Sequence, residues 1–288
     1  MKAAPFSYHA PSSLDEALSL FGDFGDEAKV IAGGQSLVPM MALRLARFDH
    51  LVDLSGIEPL RAVQRRNGSL VLGAMTTHRE LERGAGSLVP LLAKTAPHIG
   101  HTQIRNRGTF GGSCAHADPA AEWPAIAVAL NAEFDVQGPS GERTIPAGEF
   151  FVSTFMTALE PDEILVSTTI PLWGERSGFG VAEFARRHGD FAVAGAAVGL
   201  QLDEAFRIDR LAIGLMGLGP IPLRAGAAEA AAAGVEVDAL DLGELARLAV
   251  VDCDPADDIH GAAAFRRRVG AVTVEQALEQ AIQEARRD

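Results

Sequence analysis

The chain has 288 residues, enough for two domains, and its 48% hydrophobic and 22% charged residues are typical of a folded globular protein. Its formal net charge of −13 and the lack of a basic stripe with interleaved aromatic residues argue against nucleic-acid binding. No apolar run reaches the roughly 20 residues of a membrane-spanning helix, and the start lacks the apolar core of a secretory signal. We therefore expect a cytoplasmic protein without a membrane span.

Residues 1–56 predict a small α/β unit. Ser13 followed by Glu16 has the form of a capping box, and apolar residues at helical spacing follow it. A short strand then runs directly into Gly33 and Gly34, and a helix and a second strand complete the unit. The predicted strand, helix and strand are residues 30–32, 39–43 and 51–54.

Residues 57–175 predict a second α/β unit of the same domain. Thr77 and Glu80 form another capping box, and residues 173–178 have the composition of a linker. The predicted strands are residues 70–73, 132–136 and 164–170, and a helix is predicted at 90–93.

Residues 178–288 predict a separate, smaller domain. Strand-like segments come first and helices follow, a pattern typical of α+β folds. The strands are predicted at 192–202 and 211–216, and the helices near 224–233, 241–249 and 260–286.

Two glycine loops are the candidate binding segments: residues 32–36 (A-G-G-Q-S) and 109–113 (T-F-G-G-S). Paired glycines let the backbone approach an anion closely, so that successive N–H groups converge on it. Ser36 and Ser113 add hydroxyl donors, and a helix starting after either loop adds its positive end. Two such loops suit the diphosphate of a dinucleotide. The alternative is that each glycine pair is a plain turn or helix cap, and a Rossmann fingerprint is absent.

Several segments resemble the FAD-binding (medium) subunit of molybdenum hydroxylases, as in carbon monoxide dehydrogenase and the xanthine dehydrogenase family. The resemblance is densest at residues 103–113 and continues through 115–122; further matches are 32–37, 186–191 and 258–261. It implies an α+β chain with a two-part FAD-binding domain (PCMH-type) at 1–175 and a flavoprotein C-terminal domain at 178–288.

The resemblance also implies partners. A large molybdopterin-binding subunit would oxidise the substrate, and a small subunit would carry two [2Fe–2S] clusters, in a heterotrimer that pairs into a dimer of heterotrimers. FAD would pass electrons from the clusters to an external acceptor. The chain's only cysteines, Cys114 and Cys253, are too few for a cluster, which agrees with clusters on another chain.

Carried over residue by residue, the resemblance implies the FAD contacts. Residues 32–36 and 109–113 would hold the diphosphate, Ile99 and Gly100 would flank the isoalloxazine, and Asp118 or Glu122 would accept from a ribose or ribityl hydroxyl. The full predicted set is Ala32, Gly33, Gly34, Gln35, Ser36, Leu37, Ile99, Gly100, Thr109, Gly111, Gly112, Ser113, His116, Asp118, Glu122, Leu165 and Phe191. We expect no catalytic acid or base, no metal site and no covalent flavin.

Two positions depart from the family pattern. Phe191 stands where several relatives have tyrosine, and Glu183 stands where relatives often have lysine, so neither role carries over directly. Two other functions stay open: a free-standing FAD oxidoreductase of the same fold, and a scaffold that has lost flavin. A bulky residue at Gly33 or Gly111 is expected to abolish FAD binding while the chain still folds.

Overall fold

The computed structural model describes residues 2–85 and 87–287. Its first unit is a three-stranded parallel sheet of order β1-β3-β2. The elements are β1 (Ser7–His9), α1 (Leu14–Phe24), β2 (Ala28–Ile31), α2 (Leu37–Ala42) and β3 (His50–Asp53). Ser13 caps α1, but the Glu16 carboxylate accepts from Ser12 rather than from Ser13, so half of the predicted capping box forms. The part of this unit that belongs to the candidate site is the turn between β2 and α2.

The second unit is a five-stranded antiparallel sheet of order β4-β5-β10-β6-β7, beside a two-stranded hairpin. The predicted capping box at Thr77 and Glu80 is confirmed in both of its hydrogen bonds. The elements are β4 (Val63–Arg66), β5 (Ser69–Gly73), α3 (His78–Glu80), α4 (Pro90–Thr95), α5 (Thr102–Arg105), α6 (Phe110–His116), α7 (Glu122–Ala129), β6 (Glu133–Gly138), β7 (Gly141–Pro146), α8 (Ala147–Phe150), β8 (Phe151–Ser153), β9 (Met156–Thr157) and β10 (Ile164–Pro171).

The third unit is a four-stranded antiparallel sheet of order β11-β12-β13-β14 with helices on one face. Its elements are β11 (Ser177–Phe184), β12 (Ala194–Leu202), β13 (Ile208–Met216), β14 (Leu223–Arg224), α9 (Gly226–Ala232), α10 (Leu242–Ala249) and α11 (Ala263–Ala285). The long helix α11 lies against β11 with almost no gap, because a Cβ atom on Gly178 would come within 1.9 Å of the Ala281 carbonyl oxygen.

Helix α7 joins the second and third units. Apart from Glu122 at its first position, it is apolar on all sides and almost entirely buried, as expected of a helix enclosed by protein. On the third unit's side its backbone meets β13, where a Cβ atom on Gly214 would lie 2.2 Å from the Ala125 carbonyl oxygen. Phe179 and Val181 of β11 belong to the same apolar cluster as α7. The two sheets therefore share α7 as a common core element.

The segment predicted as a linker, residues 173–178, is structured at its end. Strand β11 starts at Ser177, so the linker interpretation is wrong for the last two residues, and the sequence analysis missed this strand.

None of the helices in the described ranges combines the length and the hydropathy of a membrane-spanning segment.

Candidate functional site

The first glycine loop, residues 32–36, turns from the end of β2 into α2. Its geometry is maintained by two bonds: the Gln35 side-chain amide donates to the Gly33 carbonyl at 3.0 Å, and the Val38 N–H donates to the Gly34 carbonyl at 3.0 Å. Gly34 has a φ of 72°, which favours glycine. Within residues 2–85 and 87–287, the backbone N–H groups of residues 33–36 donate to no protein acceptor. Four successive free donors make this turn the anion-binding candidate.

The second glycine loop, residues 109–113, leads into α6 and uses its N–H groups differently. The amides of Phe110 and Gly111 donate to the carbonyls of Thr76 and Ala74, at 2.9 and 3.1 Å. The Gly112 amide donates to the Thr109 hydroxyl oxygen at 3.0 Å, and the Ser113 amide donates to the Thr109 carbonyl. This loop is therefore a helix cap anchored to the core, and the group it leaves for a ligand is the hydroxyl of the half-buried Ser113.

The two glycine loops touch. A Cβ atom on Gly33 would lie 2.2 Å from the Arg107 carbonyl oxygen and 2.6 Å from the Gly108 Cα atom. A Cβ atom on Gly112 would lie 3.1 Å from the Ala32 Cβ atom. The structure thus brings together the two segments that the sequence pattern singled out, and glycine is required where they meet.

A buried histidine, which the sequence analysis did not identify, holds the second loop in place. The backbone N–H of His78 donates to the Gly108 carbonyl at 3.0 Å, and the ring Nδ1 of His78 accepts from the Trp123 indole N–H at 2.8 Å. Burial, and secondarily the charge of Arg105, lowers the pKa of His78 to about 3, so the imidazole is neutral. A neutral ring whose Nδ1 accepts carries its proton on Nε2.

Ile99 and Gly100 lie in a loop organised by one guanidinium. The buried Arg105 side chain donates to the carbonyls of Ile99 at 3.1 Å, Gly100 at 3.0 Å and, more weakly, Pro97 at 3.4 Å. Its Nε also pairs with Glu82 at 3.0 Å. Hydrogen bonds from Arg79 and, to a smaller extent, from Arg105 lower the pKa of Glu82. Sequence analysis placed Arg105 inside the resembling segment but gave it no role.

His116 and Asp118 follow at the end of α6, and both are half-buried. The His116 ring packs against Phe155 with centroids 5.0 Å apart. Burial lowers the pKa of His116, with Lys29 adding to the effect, while burial raises the pKa of Asp118. The Asp118 carboxylate accepts from the Ala120 N–H at 2.9 Å, which leaves its second oxygen for another donor.

The last three predicted contact residues differ in exposure. Glu122 is buried at the first position of α7, and burial together with the Glu183 charge raises its pKa to about 8. Leu165 is buried in β10 and belongs to the core of the five-stranded sheet. Phe191 has 58% of its surface exposed. Their roles toward a cofactor stay predictions, as do those of the other residues in the set.

Two families match the chain along most of its length. Residues 4–173 match the FAD binding domain in molybdopterin dehydrogenase, and residues 180–281 match the CO dehydrogenase flavoprotein C-terminal domain. The chain belongs to the FAD-binding subunits of the molybdenum hydroxylases. It is therefore a subunit of an oxidoreductase, and FAD is its cofactor. The predicted family, α+β fold class and cofactor are confirmed, while the predicted domain boundaries stay predictions.

Relatives in this family are similar over the full chain. The 6-hydroxypseudooxynicotine dehydrogenase complex subunit alpha of Paenarthrobacter nicotinovorans is 39% identical over 288 residues, covering 99% of this chain and 97% of its own. The carbon monoxide dehydrogenase medium chain of Hydrogenophaga pseudoflava is 37% identical and covers 96% of both chains.

Solved structures of molybdenum hydroxylases are similar to this chain over nearly its full length. Carbon monoxide dehydrogenase from Hydrogenophaga pseudoflava, in a form lacking the Mo-pyranopterin moiety, matches with a TM-score of 0.94 and 39% identity over 98% of both chains. Quinoline 2-oxidoreductase from Pseudomonas putida 86 matches with a TM-score of 0.92 and 35% identity, over 98% of this chain and 99% of its own.

The residues present fit FAD. A diphosphate needs donors at a place too narrow for side chains. The turn at residues 33–36 offers four amides that donate to no acceptor in residues 2–85 and 87–287. Side-chain hydroxyls of Ser36 and Ser113 lie in the two touching loops and, in the described part of the chain, have no hydrogen-bond partner of their own.

Proposed function

We propose that this chain is the electron-transfer subunit of a heterotrimeric molybdenum hydroxylase. Its partners are a large molybdopterin-binding subunit and a small subunit with two [2Fe–2S] clusters, and two heterotrimers pair in the cytoplasm. The names of the relatives support this, since they are a medium chain and a complex subunit rather than whole enzymes. FAD, when bound, accepts electrons from the clusters and delivers them to an external acceptor.

The cysteines of this chain support placing the clusters on another subunit. Cys114 and Cys253 are both buried and unpaired. Burial raises the pKa of Cys253 to about 11 and the pKa of Cys114 well above its ordinary value. Both thiols therefore stay protonated at neutral pH, whereas cluster ligands are thiolates.

The single observation that carries the proposal is the row of free amides at residues 33–36 beside the second glycine loop. These amides would meet the negative charge of the diphosphate, with the Ser36 and Ser113 hydroxyls as further donors. Gly111 and Gly112 contribute by allowing the second loop to come close, and Thr109 by shaping its turn.

The ring end of FAD is proposed to lie along the loop that Arg105 organises, with Ile99 and Gly100 flanking the isoalloxazine. The free oxygen of Asp118 would accept from a ribityl or ribose hydroxyl, and His116 would line the same side. The other residues of the predicted set are proposed as the remaining contacts: Ala32, Gln35, Leu37, Glu122, Leu165 and Phe191.

Reconstitution tests the proposal. The chain is purified alone and also co-expressed with a small [2Fe–2S] chain and a large molybdopterin chain of the proposed complex. Flavin content, complex mass and flavin bleaching by the reduced cluster subunit are then measured. The expected results are one FAD per chain, a mass of two heterotrimers, and bleaching only when the cluster subunit is present. Bleaching by an organic substrate without partners would identify a free-standing flavoenzyme instead, and absence of flavin would identify a scaffold.

A further inference from the structure

Strand β11 lies at the edge of its sheet, and side chains of α11 cover its free side. In the described residues, β11 pairs with β12 and with no other strand. On its other side, the Phe179 N–H donates to the Glu284 carboxylate at 2.6 Å, and the Val181 N–H donates to the Gln280 side-chain oxygen at 3.0 Å. Helix α11 therefore satisfies main-chain donors that an additional strand would otherwise satisfy.

This pattern stops before the end of the strand. Alternate residues of a strand are about 6.6 Å apart, and helix residues four apart are separated by about 6 Å, so the next matching pair is Glu183 and Gln276. Both residues border one cavity of about 290 Å³. No hydrogen bond joins them among the residues that the structure describes, whereas the two preceding pairs are bonded. The edge of β11 is therefore open at Glu183.

The main chain of Glu183 is accessible at this open edge. Main-chain groups of an edge strand point alternately toward the neighbouring strand and away from it, so the N–H and C=O of Glu183 point outward, like those of Phe179 and Val181. Phe179 and Val181 are only 4% and 6% exposed. Glu183 is half-buried although its side chain is only 6% exposed, so a large part of its accessible surface is main chain.

The cavity beside Glu183 combines apolar walls with one positive charge. The apolar walls are Phe184, Phe265, Val269 and Val272. The rings of the two phenylalanines meet edge to face, with centroids 5.9 Å apart. Arg268 is the only lysine or arginine at the cavity, and across the described chain it takes part in no ion pair. The Glu183 carboxylate does not pair with it, because that carboxylate is buried against His98, with 3.4 Å between Oε1 and Nδ1.

We propose that this cavity binds the C-terminal residue of a partner chain, which pairs with the open edge of β11. The Glu183 N–H, the Gln276 amide and the Arg268 guanidinium donate to the terminal carboxylate. The Glu183 carbonyl accepts from the N–H of the terminal residue, as in a pair of strands. An apolar side chain on that residue lies against the phenylalanine and valine walls.

Two observations select a chain end that carries a carboxylate. Gln280 already occupies the edge at Val181, so an added segment cannot extend past Glu183 and must end there. The end of a chain carries either an amine or a carboxylate, and the positive charge of Arg268 favours the carboxylate. That the chain end comes from another subunit rests on the proposed function, whereas the binding of such an end does not.

Peptide binding to the full chain tests the terminal carboxylate. The probe is acetyl-Gly-Val-Leu with a free carboxylate, titrated by calorimetry at up to millimolar concentration. Its C-terminal amide form, and the free acid with Arg268→Gln, are each expected to bind at least about 10-fold more weakly. Arg287→Gln makes the same change just beyond the end of α11, away from the cavity, and should bind as the wild type does. Absence of binding, or equal affinity for acid and amide, would overturn the proposal.

A second pair of probes tests the strand edge. Acetyl-Gly-Val-N-methyl-Leu keeps the carboxylate but lacks the N–H that pairs with the Glu183 carbonyl, so it should bind about fivefold more weakly. Hexanoate has a carboxylate and an apolar chain without a peptide group, and it should bind more weakly still. Equal affinity of all three would assign the cavity to small carboxylates and overturn the pairing with β11.

The partner is tested in the co-expressed complex. Val272→p-benzoylphenylalanine places a photoreactive group on the half-exposed wall of the cavity. After irradiation, mass spectrometry should find it joined to the C-terminal peptide of the large or the small chain. A cross-link to an internal segment, or to a second copy of this chain, would overturn the proposal. If no complex assembles, the proposed function fails, and the peptide titrations alone decide whether the cavity binds a chain end.

Discussion

The two glycine loops look alike in sequence but differ in what their amides do. Among the residues that the structure describes, the N–H groups of residues 33–36 have no protein acceptor, whereas in residues 110–113 every N–H donates to Ala74, Thr76 or Thr109. The paired glycines of the first loop leave donors for a ligand, and those of the second let a helix start pack against the core. A glycine pair therefore indicates close backbone approach, and only the hydrogen-bond partners show what is being approached.

The substitution Gly33→Ala is expected to have the largest effect, a loss of FAD affinity. The new Cβ would overlap the Arg107 carbonyl oxygen at 2.2 Å, so the first loop must move away from the second. We expect the FAD dissociation constant, measured by flavin fluorescence titration, to rise at least about 100-fold. Gly148→Ala, where a Cβ meets open space, is the control. If Gly33→Ala bound FAD with the affinity of the wild type, the assignment of the first loop to the diphosphate would be wrong.

Gly111→Ala tests the difference between the two loops, because this substitution is expected to lower the stability of the fold more than it lowers FAD affinity. Its Cβ would lie 2.6 Å from the Ala74 Cβ atom in the core, and overpacking of this kind costs roughly 1–3 kcal/mol. Thermal unfolding should show a drop of about 2–4 °C per kcal/mol. The molecules that stay folded should lose less FAD affinity than Gly33→Ala. The sequence alone leads to the expectation that a bulky residue at Gly111 leaves folding intact, whereas the contact with Ala74 predicts a loss of stability. An unchanged melting temperature with lost FAD would assign Gly111 to the ligand instead.

Arg105→Lys tests the loop at the ring end. Lysine keeps the charge but lacks the planar fork that reaches the Ile99 and Gly100 carbonyls together with Glu82. We expect FAD affinity to fall about 10-fold, which corresponds to roughly 1.4 kcal/mol, and the visible circular dichroism of the flavin to change. Arg79→Lys, which also pairs with Glu82 but contacts neither carbonyl, should leave that spectrum as it is. A flavin spectrum identical to the wild type in Arg105→Lys would show that this loop does not touch the ring.

The smallest expected effects are those of single hydroxyl groups. Ser36→Ala and Ser113→Ala each remove one donor near the diphosphate, and a hydrogen bond of this type is worth about 1 kcal/mol. Each should raise the FAD dissociation constant about fivefold in calorimetry, with Ser140→Ala on an exposed turn as the unchanged reference. If only Ser36 matters, the diphosphate lies against the first loop alone.

Much of the fold was predictable where local rules and packing agree. The alternation of apolar and polar residues predicted β6, the capping residues predicted α3, and apolar residues at helical spacing predicted α1. Strand β11 was missed because Gly178 and Gly180 resemble linker residues. Both are glycine because α11 lies against them, with a Cβ on Gly178 only 1.9 Å from the Ala281 carbonyl oxygen, a contact 103 residues away that no local pattern reveals.

The candidate site, like the fold, was predictable where the signal is local in sequence. Both glycine loops were found, because glycine pairs with a following hydroxyl are a local signal. His78 and Arg105 were missed as site residues, because their roles arise from partners such as Trp123 and Glu82 that are 45 and 23 residues distant in sequence.

The most direct test of the central claim is a crystal structure of the FAD-loaded chain, alone or in its complex. The account predicts that diphosphate oxygens lie within about 2.7–3.2 Å of the backbone nitrogens of residues 33–36, while the amides of residues 110–113 keep their protein acceptors. Diphosphate bound to the amides of the second loop, or to side chains elsewhere with the first loop empty, would contradict it.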